Sequence, residues 1–462
     1  MRMAALRNEP SIVLLNPPPF RIAEEWDTPK YPNIGLGYVA GALRQAGFSR
    51  IMPLDAKFER LTMPDTIDRI LALEPDIVGT TGLIIDAVQN QKIVTEIKKR
   101  RPGITVIAGG VHVSILPETA LEESPETDYV VINEGERTLP RLLRALTEAG
   151  EPITDIPNLC FRKDGRCIRT PAANWIADLD SLAFPAWDLF PPSRQYPMVT
   201  SRGCPFACKF CHPFGTRVRQ RSVHNVLAEM EKLIECHHPE FLVMFDETFG
   251  LNPKRTAELL DGFISINVAA SLPWYAAVRV STTTPEMLEH MYRAGCRTVA
   301  FGIEGAAERV LKEKKIDIKK AKGLIDLGKQ LGMEVDTFFI FGHPDETLRE
   351  MLKTVHLAAY LNPTLAAFGI MTPYPGTEIY ELARQGKAGY RLTARTWNDY
   401  GKHIGNALQF TRVGNFSVEL VRIIAYLYLY IYNRRFLDLM RFLRTYWKTG
   451  VSVLQNMIKN RI

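Results

Sequence analysis

The segment CPFACKFC, residues 204–211, places three thiols within eight residues at CxxxCxxC spacing. A thiolate is a soft ligand that selects iron–sulfur clusters, zinc or copper(I). Cys204, Cys208 and Cys211 can converge on one centre only from a loop, because a straight helix would aim such closely spaced side chains in different directions. Gly203 and Pro205 favour that loop. Most iron–sulfur clusters take four cysteines, so three leave one iron without a protein ligand. By analogy with catalytic zinc, an open coordination position marks a metal that does chemistry. The competing readings are inert buried thiols, or a structural zinc with His212 as a further ligand. The usual zinc spacing needs a distant second ligand pair, and none follows.

The eight-residue segment resembles the signature of the radical S-adenosylmethionine (SAM) enzymes, including the aromatic Phe210 directly before the last cysteine. The resemblance implies a [4Fe–4S] cluster on Cys204, Cys208 and Cys211, with SAM chelating the fourth iron. An electron from the cluster would split SAM to methionine and a 5′-deoxyadenosyl radical that abstracts hydrogen from substrate. A flavodoxin- or ferredoxin-type donor would supply the electron.

Over residues 1–150, apolar runs near 11–15, 51–54, 76–80, 104–108 and 129–132 read as buried parallel strands. Helical patterns fill the intervals, so the expectation is a doubly wound sheet with ligands beyond the carboxyl ends of its strands. Those ends carry Pro17 in NPPP, Thr81 and Gly82, Gly109, Gly110 and His112, and Glu134 with Gly135. Glycine there lets backbone approach a large ligand, although each glycine taken singly need only make a turn. Together LLNPPPF, GLGY, GGVHVSILPE and NEGERTLPRLL resemble the cobalamin-binding domain found ahead of many radical SAM cores. No DxH occurs, so the resemblance is to the subgroup whose cobalt lacks a histidine from a DxHxxG loop. His112 stands on the expected loop, where a lone histidine is also an ordinary structural residue.

Residues 151–195 read as a proline-rich connector whose one regular element is a hairpin around Asp164-Gly165. Cys167 would then face Arg162 rather than Cys160. From residue 196 to 387 six strand–helix units follow, the first strand, 198–200, leading straight into the cysteine loop. Six units predict a partial barrel, with the chemistry at the carboxyl face as in closed barrels. Acids and glycines recur at those ends: Asp246 and Glu247, Glu304, and Gly342 in FGHPDET. SAM offers a cationic amine and ribose hydroxyls, which want carboxylates or carbonyls. The resemblance assigns Asp246 or Glu247 to the methionine amine, Glu304 to the amine or ribose, and the turn at Gly342 to the adenine. Helix capping is the alternative use of these acids.

Residues 388–462 are predicted to be a basic, mostly helical C-terminal cap. Residues 401–462 hold ten Lys or Arg against two acids, which leaves the rest of the chain slightly acidic within an overall +6. A globally basic nucleic-acid binder is therefore not expected. The tail either packs on the barrel with its arginine stems snorkelling or lies on an anionic membrane. With 46% apolar and 23% charged residues, no signal-peptide pattern and no bilayer-length apolar run, the chain reads as globular and cytoplasmic. Seven cysteines fit a reducing compartment.

The expected fold is α/β: a Rossmann-like cobalamin-binding domain, a partial (β/α)6 radical SAM barrel and a helical C-terminal region. The implied activity is methylation of an unactivated carbon of a small-molecule substrate, through methylcobalamin and the deoxyadenosyl radical. A cyclase or rearrangement enzyme without net methylation is the alternative; a cobalamin or redox sensor is the alternative of another class.

Overall fold

The structure is a computed structural model that describes residues 9–20, 29–147, 151–212, 215, 217–401 and 407–459. The first part of the chain runs β1 (Ile12–Asn16), α1 (Ile34–Gln45), β2 (Ile51–Asp55), α2 (Met63–Ala72), β3 (Ile77–Thr80), α3 (Ala87–Arg100), β4 (Thr105–Ala108), α4 (Val111–Ile115), α5 (Pro117–Glu123), β5 (Tyr129–Val131) and α6 (Gly135–Thr147). Strands β6 (Leu159–Lys163), β7 (Arg166–Arg169) and β8 (Gln195–Met198) follow.

Next come β9 (Ser201–Arg202), β10 (Arg219–Gln220), α7 (Val223–His237), β11 (Phe241–Met244), α8 (Pro253–Ser265), α9 (Val268–Ser271), β12 (Trp274–Val278), α10 (Pro285–Arg293) and β13 (Cys296–Glu304). The last part runs α11 (Glu308–Lys314), α12 (Ile318–Gln330), β14 (Glu334–Phe341), α13 (Leu348–Leu361), β15 (Leu365–Ile370), α14 (Glu378–Arg384), β16 (Tyr390–Leu392), β17 (Leu408–Phe410), α15 (Asn415–Tyr432) and α16 (Phe436–Lys459).

The first sheet has the order β2-β1-β3-β4-β5-β6-β7. Its first five strands pair in parallel. That order reverses between β1 and β3, the switch point beyond which doubly wound folds bind ligands. β1 is IVLLN with every residue buried, because helices cover both of its faces. Val13, Leu15, Val78, Ile93, Ile97 and Val106 form the core on one side. Helix starts are locally encoded: Thr62 accepts from the Asp65 amide while the Asp65 carboxylate takes the Thr62 amide, a capping box that opens α2.

The hairpin expected around Asp164-Gly165 within 151–195 is present as β6 and β7; beyond that expectation it adds antiparallel to β5 and extends the first sheet. Val130 pairs with Cys160, so the run LCF covers an edge that would otherwise expose backbone groups. Arg162 does pair with Cys167.

The second sheet has six strands in the order β15-β14-β13-β12-β11-β8. β11 through β15 pair in parallel in chain order, as βα repetition requires. The strand expected over 198–200 ends instead at Met198, and β9 begins at Ser201. The Thr200 amide donates to the Asp246 carboxylate at 2.6 Å, which takes it out of strand pairing.

By its internal contacts the chain forms two compact units. One comprises 1–198, 218–241 and 396–398; the other comprises 199–217, 242–395 and 399–462. In the second, α15 packs against α13 and β15. The Tyr426 hydroxyl accepts from the Phe368 amide at 3.2 Å, so a helix covers the open edge of β15.

Candidate functional site

In the second unit residues 203–212 form a loop, as the cysteine spacing demands. Gly203 has φ +94°, and a Cβ there would stand 2.6 Å from the Arg217 carbonyl, so only glycine fits. The Cys204 amide donates to the Gly215 carbonyl at 3.1 Å and the Cys211 amide to Cys208 at 3.0 Å, which fold the three thiols into one loop. Lys209 ties its tip to Glu378 at 2.8 Å. Among the described residues no three His, Cys, Asp or Glu side chains gather around a single-ion site. Thiols that serve a cluster of several irons must surround a larger body than one ion.

The surroundings fit such a cluster. Two buried cations point at Cys208: Lys314 Nζ lies 3.8 Å and Arg279 Nη1 4.0 Å from its sulfur. A cluster carried on three thiolates is anionic, and these groups offset that charge. Arg279 also lies 3.7 Å over the Phe206 ring and donates to the Lys314 carbonyl at 2.9 Å. Cys204 Sγ is 3.9 Å from the Thr248 hydroxyl. Crowding by the protein, and then Cys208 and Cys204 beside it, push the Cys211 thiol up.

The acids at the strand ends divide into two kinds. Asp246, 5% exposed, accepts from the Thr200 amide and from the Thr200 and Ser201 hydroxyls, each at 2.6 Å. Burial raises its carboxyl above the ordinary range, against those hydrogen bonds. Both oxygens are engaged, so Asp246 shapes the strand crossing. Glu247 reaches solvent and accepts from the Gly203 amide at 3.2 Å, beside the cysteine loop. It is the member of the pair with an oxygen to spare, although its surroundings raise it too.

Glu304 ends β13 at φ +67°, where the pairing with β14 slips between Gly302 and Glu304. Such a bulge re-aims a side chain. The carboxylate folds back so far that a Cβ at Gly302 would meet it at 2.5 Å. There it pairs with Lys314 at 3.0 Å. Gly342, at φ +86°, lies under Phe410, and a Cβ there would stand 2.2 Å from that ring. Its amide and that of His343 donate to Glu346 at 2.7 and 3.0 Å, while Tyr390 donates to its carbonyl at 2.6 Å. Burial pushes the Glu346 carboxyl up to about 7 and His343 down to about 4. Phe210 meets His343 edge to face, with centroids 6.4 Å apart.

In the first unit the strand-end loops are stitched together. The Gly109 amide donates to Thr80, His112 to Gly82, and Asn90 Nδ2 to the Thr81 carbonyl at 3.0 Å. Gly110, at φ +91°, would bring a Cβ within 2.6 Å of Thr81, whereas Gly109 meets nothing nearer than 3.7 Å. Beside these loops is a cavity of about 50 Å³ lined by residues that include Thr80, Gly82, Asn90, Gly109, His112 and Trp397. His112 Nδ1 and Asn90 Oδ1 are buried there without a hydrogen-bond partner. Burial lowers the imidazole to about 4, so His112 is neutral, with its ring edge-on to Trp397 at 5.0 Å. The open backbone at Gly109 lets a large ligand such as a corrinoid approach these loops from outside, while the cavity itself has room for only a few atoms. Pro17 is buried just past β1, and Gly135 starts α6 packed against Val131 and Val39, which a Cβ there would meet at 3.6 and 3.7 Å. Glu134 is otherwise engaged: it pairs with Arg219 at 2.8 Å and accepts from the Ile176 amide.

Sequence reasoning missed Lys314, Arg279, Thr248, Ser201 and Arg219. Lys314 closes α11 as one of several basic residues there, and nothing local separates it from a helix C-terminal lysine.

The family profile of the B12 binding domain matches residues 28–143, and that of the Radical SAM superfamily matches residues 198–358. An uncharacterized methyltransferase of Pyrococcus horikoshii is 34% identical over 387 residues, 80% of this chain and 81% of that protein. The anaerobic magnesium-protoporphyrin IX monomethyl ester cyclase of Cereibacter sphaeroides is 28% identical over 77% of this chain, but only 60% of the cyclase is spanned. Among solved structures, the radical S-adenosylmethionine methyltransferase TsrM of Kitasatospora setae, with cobalamin and [4Fe-4S] cluster bound, aligns with a TM-score of 0.69. Its identity is 21%, over 86% of this chain and 78% of that one. The cobalamin-dependent S-adenosylmethionine radical enzyme OxsB aligns at 0.72 with 16% identity, over 90% and 66%. These two structures share the fold described above.

Proposed function

This chain belongs to the cobalamin-dependent radical SAM enzymes, and on that premise we propose that it transfers a methyl group to an unactivated carbon of a small molecule. The observation that carries the reading is the pairing, in one chain, of a cation-backed three-thiol loop with a doubly wound domain whose strand-end cleft holds unsatisfied polar atoms. When bound, cobalamin supplies the methyl group, while the cluster and SAM supply the means to remove a hydrogen atom from the substrate.

The chain's own residues bind and orient. Cys204, Cys208 and Cys211 hold the cluster, and Lys314 and Arg279 balance its charge. Glu247 takes the methionine amine of SAM; Glu304 exchanges part of its hold on Lys314 for the amine or ribose. Phe210 and the turn at Gly342 border the adenine. Pro17, Thr81, Gly82, Gly109, Gly110, His112 and Gly135 face the corrinoid, and Glu134 holds their flank through Arg219. A flavodoxin- or ferredoxin-type protein delivers electrons in a reducing cytoplasm, a setting that suits seven free thiols.

The test is product stoichiometry with methyl-labelled SAM under anaerobic conditions. Each turnover should release S-adenosylhomocysteine and 5′-deoxyadenosine in nearly equal amounts, with the label in the product. A second reading, cyclisation without net methylation, is favoured by the cyclase relative. Deoxyadenosine with an unlabelled, rearranged product would select it and overturn methylation.

A further inference from the structure

Helix α16 leaves an apolar face uncovered. Its inner side is spent on α15: Phe442 stacks on Tyr426 at 4.8 Å and meets Tyr430 at 5.7 Å. On its outer side Leu437 is 77%, Met440 67%, Trp447 60% and Phe436 58% exposed, joined by Leu443 and Val451. At about 100° per residue these six fall within an arc of about 120°. Scattered single exposed apolar residues are ordinary, but a contiguous stripe of this kind marks an interaction site.

Charge selects the partner. Within 436–459 the chain has four basic residues and one acid. That acid, Asp438, is taken by Arg435 at 2.8 Å and Arg441 at 3.7 Å. The Arg441 side chain is 82% exposed on the flank of the apolar arc, and Arg434 and Arg444 are exposed as well. A second copy of the same face would bring these like charges together. An aromatic and aliphatic arc with Arg441 on its flank, Arg444 set within that same edge and a tryptophan near its centre matches an anionic bilayer surface. Among the described residues no helix is long and apolar enough to cross a membrane, so the contact is one of lying on the surface.

We propose that α16 docks this protein on an anionic lipid surface, with Phe436, Leu437, Met440, Leu443 and Trp447 entering the headgroup–acyl boundary and Arg441 and Arg444 meeting lipid phosphates. The reading is independent of the methyl transfer proposed above.

Co-sedimentation of the full chain with vesicles tests it. Vesicles of phosphatidylcholine containing about one third phosphatidylglycerol should carry the protein down, and raised salt should release it. Leu437→Glu with Met440→Glu should weaken binding at least tenfold, as should Arg441→Glu with Arg444→Glu. All four positions are exposed, so circular dichroism and iron content should stay unchanged and report that each variant is folded. Equal sedimentation of wild type and the Leu437/Met440 variant would overturn the proposal. So would equal binding to pure phosphatidylcholine, which would remove the role of the cations. A concentration-dependent dimer in light scattering, dispersed by the same variant and without vesicle binding, would assign the face to a second copy instead.

Discussion

Lys314 and Glu304 form a buried ion pair 3.0 Å apart, and the same ammonium stands 3.8 Å from the Cys208 sulfur. Both side chains are about one-tenth exposed, so neither charge is well hydrated. Removing one partner strands the other. Glu304→Ala should therefore lower unfolding stability by about 3–5 kcal/mol, read from denaturant midpoints. Adding Lys314→Met should restore much of it, and a double-mutant cycle measures the coupling. An additive cycle would show that the pair does not interact.

The thiol loop has a readout separate from turnover. Anaerobic reconstitution should give about four irons per chain, and changing Cys204, Cys208 and Cys211 to Ala together should abolish both the iron and deoxyadenosine formation. Lys314→Met should keep the iron but make the cluster harder to reduce, because one positive charge near Cys208 is gone. Spectroelectrochemical titration should show a more negative potential.

The buried carboxyl of Glu346 sets a pH dependence. Burial pushes it from 4.5 up to about 7, only partly opposed by the amides of Gly342 and His343. A raised folded-state value means that the native chain holds this proton more tightly than the unfolded chain. Its contribution is full below about 4.5 and is lost as pH rises through about 7, a change of about 3 kcal/mol. Glu346→Gln mimics the protonated form and should flatten the stability profile across that window, as thermal melts at several pH values would show.

His112 is expected to stay off the cobalt. Its ring is buried, neutral and set against Trp397, and no DxHxxG loop presents it. Electron paramagnetic resonance of cob(II)alamin bound to protein carrying ¹⁵N-histidine should match that of unlabelled protein. Altered nitrogen splitting would make a histidine the axial ligand, with His112 the first to replace.

The parts that were legible before folding are those written locally. Buried parallel strands such as IVLL at 12–15 announce themselves as apolar runs, and helix starts such as Thr62 with Asp65 carry their own capping residues. The spacing of Cys204, Cys208 and Cys211 needs no context to demand a loop. The open strand-end acids were visible too, yet not their division of labour. Asp246 and Glu247 are neighbours in sequence, and only the positions of Thr200 and Ser201 show which has its oxygens engaged.

The two βα repeats, the thiol loop and the missing DxH motif are readable along the chain, because each depends on residues a few positions apart. Distant pairs came only with folding: β6 adding to β5, Glu134 meeting Arg219, and Lys314 reaching Cys208. Lys314 and Cys208 are 106 residues apart, and Glu134 and Arg219 are 85 apart. A charge carries no record in the chain of the partner that folding will bring to it. Its meaning is set by burial, where a lost hydration shell must be replaced by a specific counter-charge or hydrogen bond.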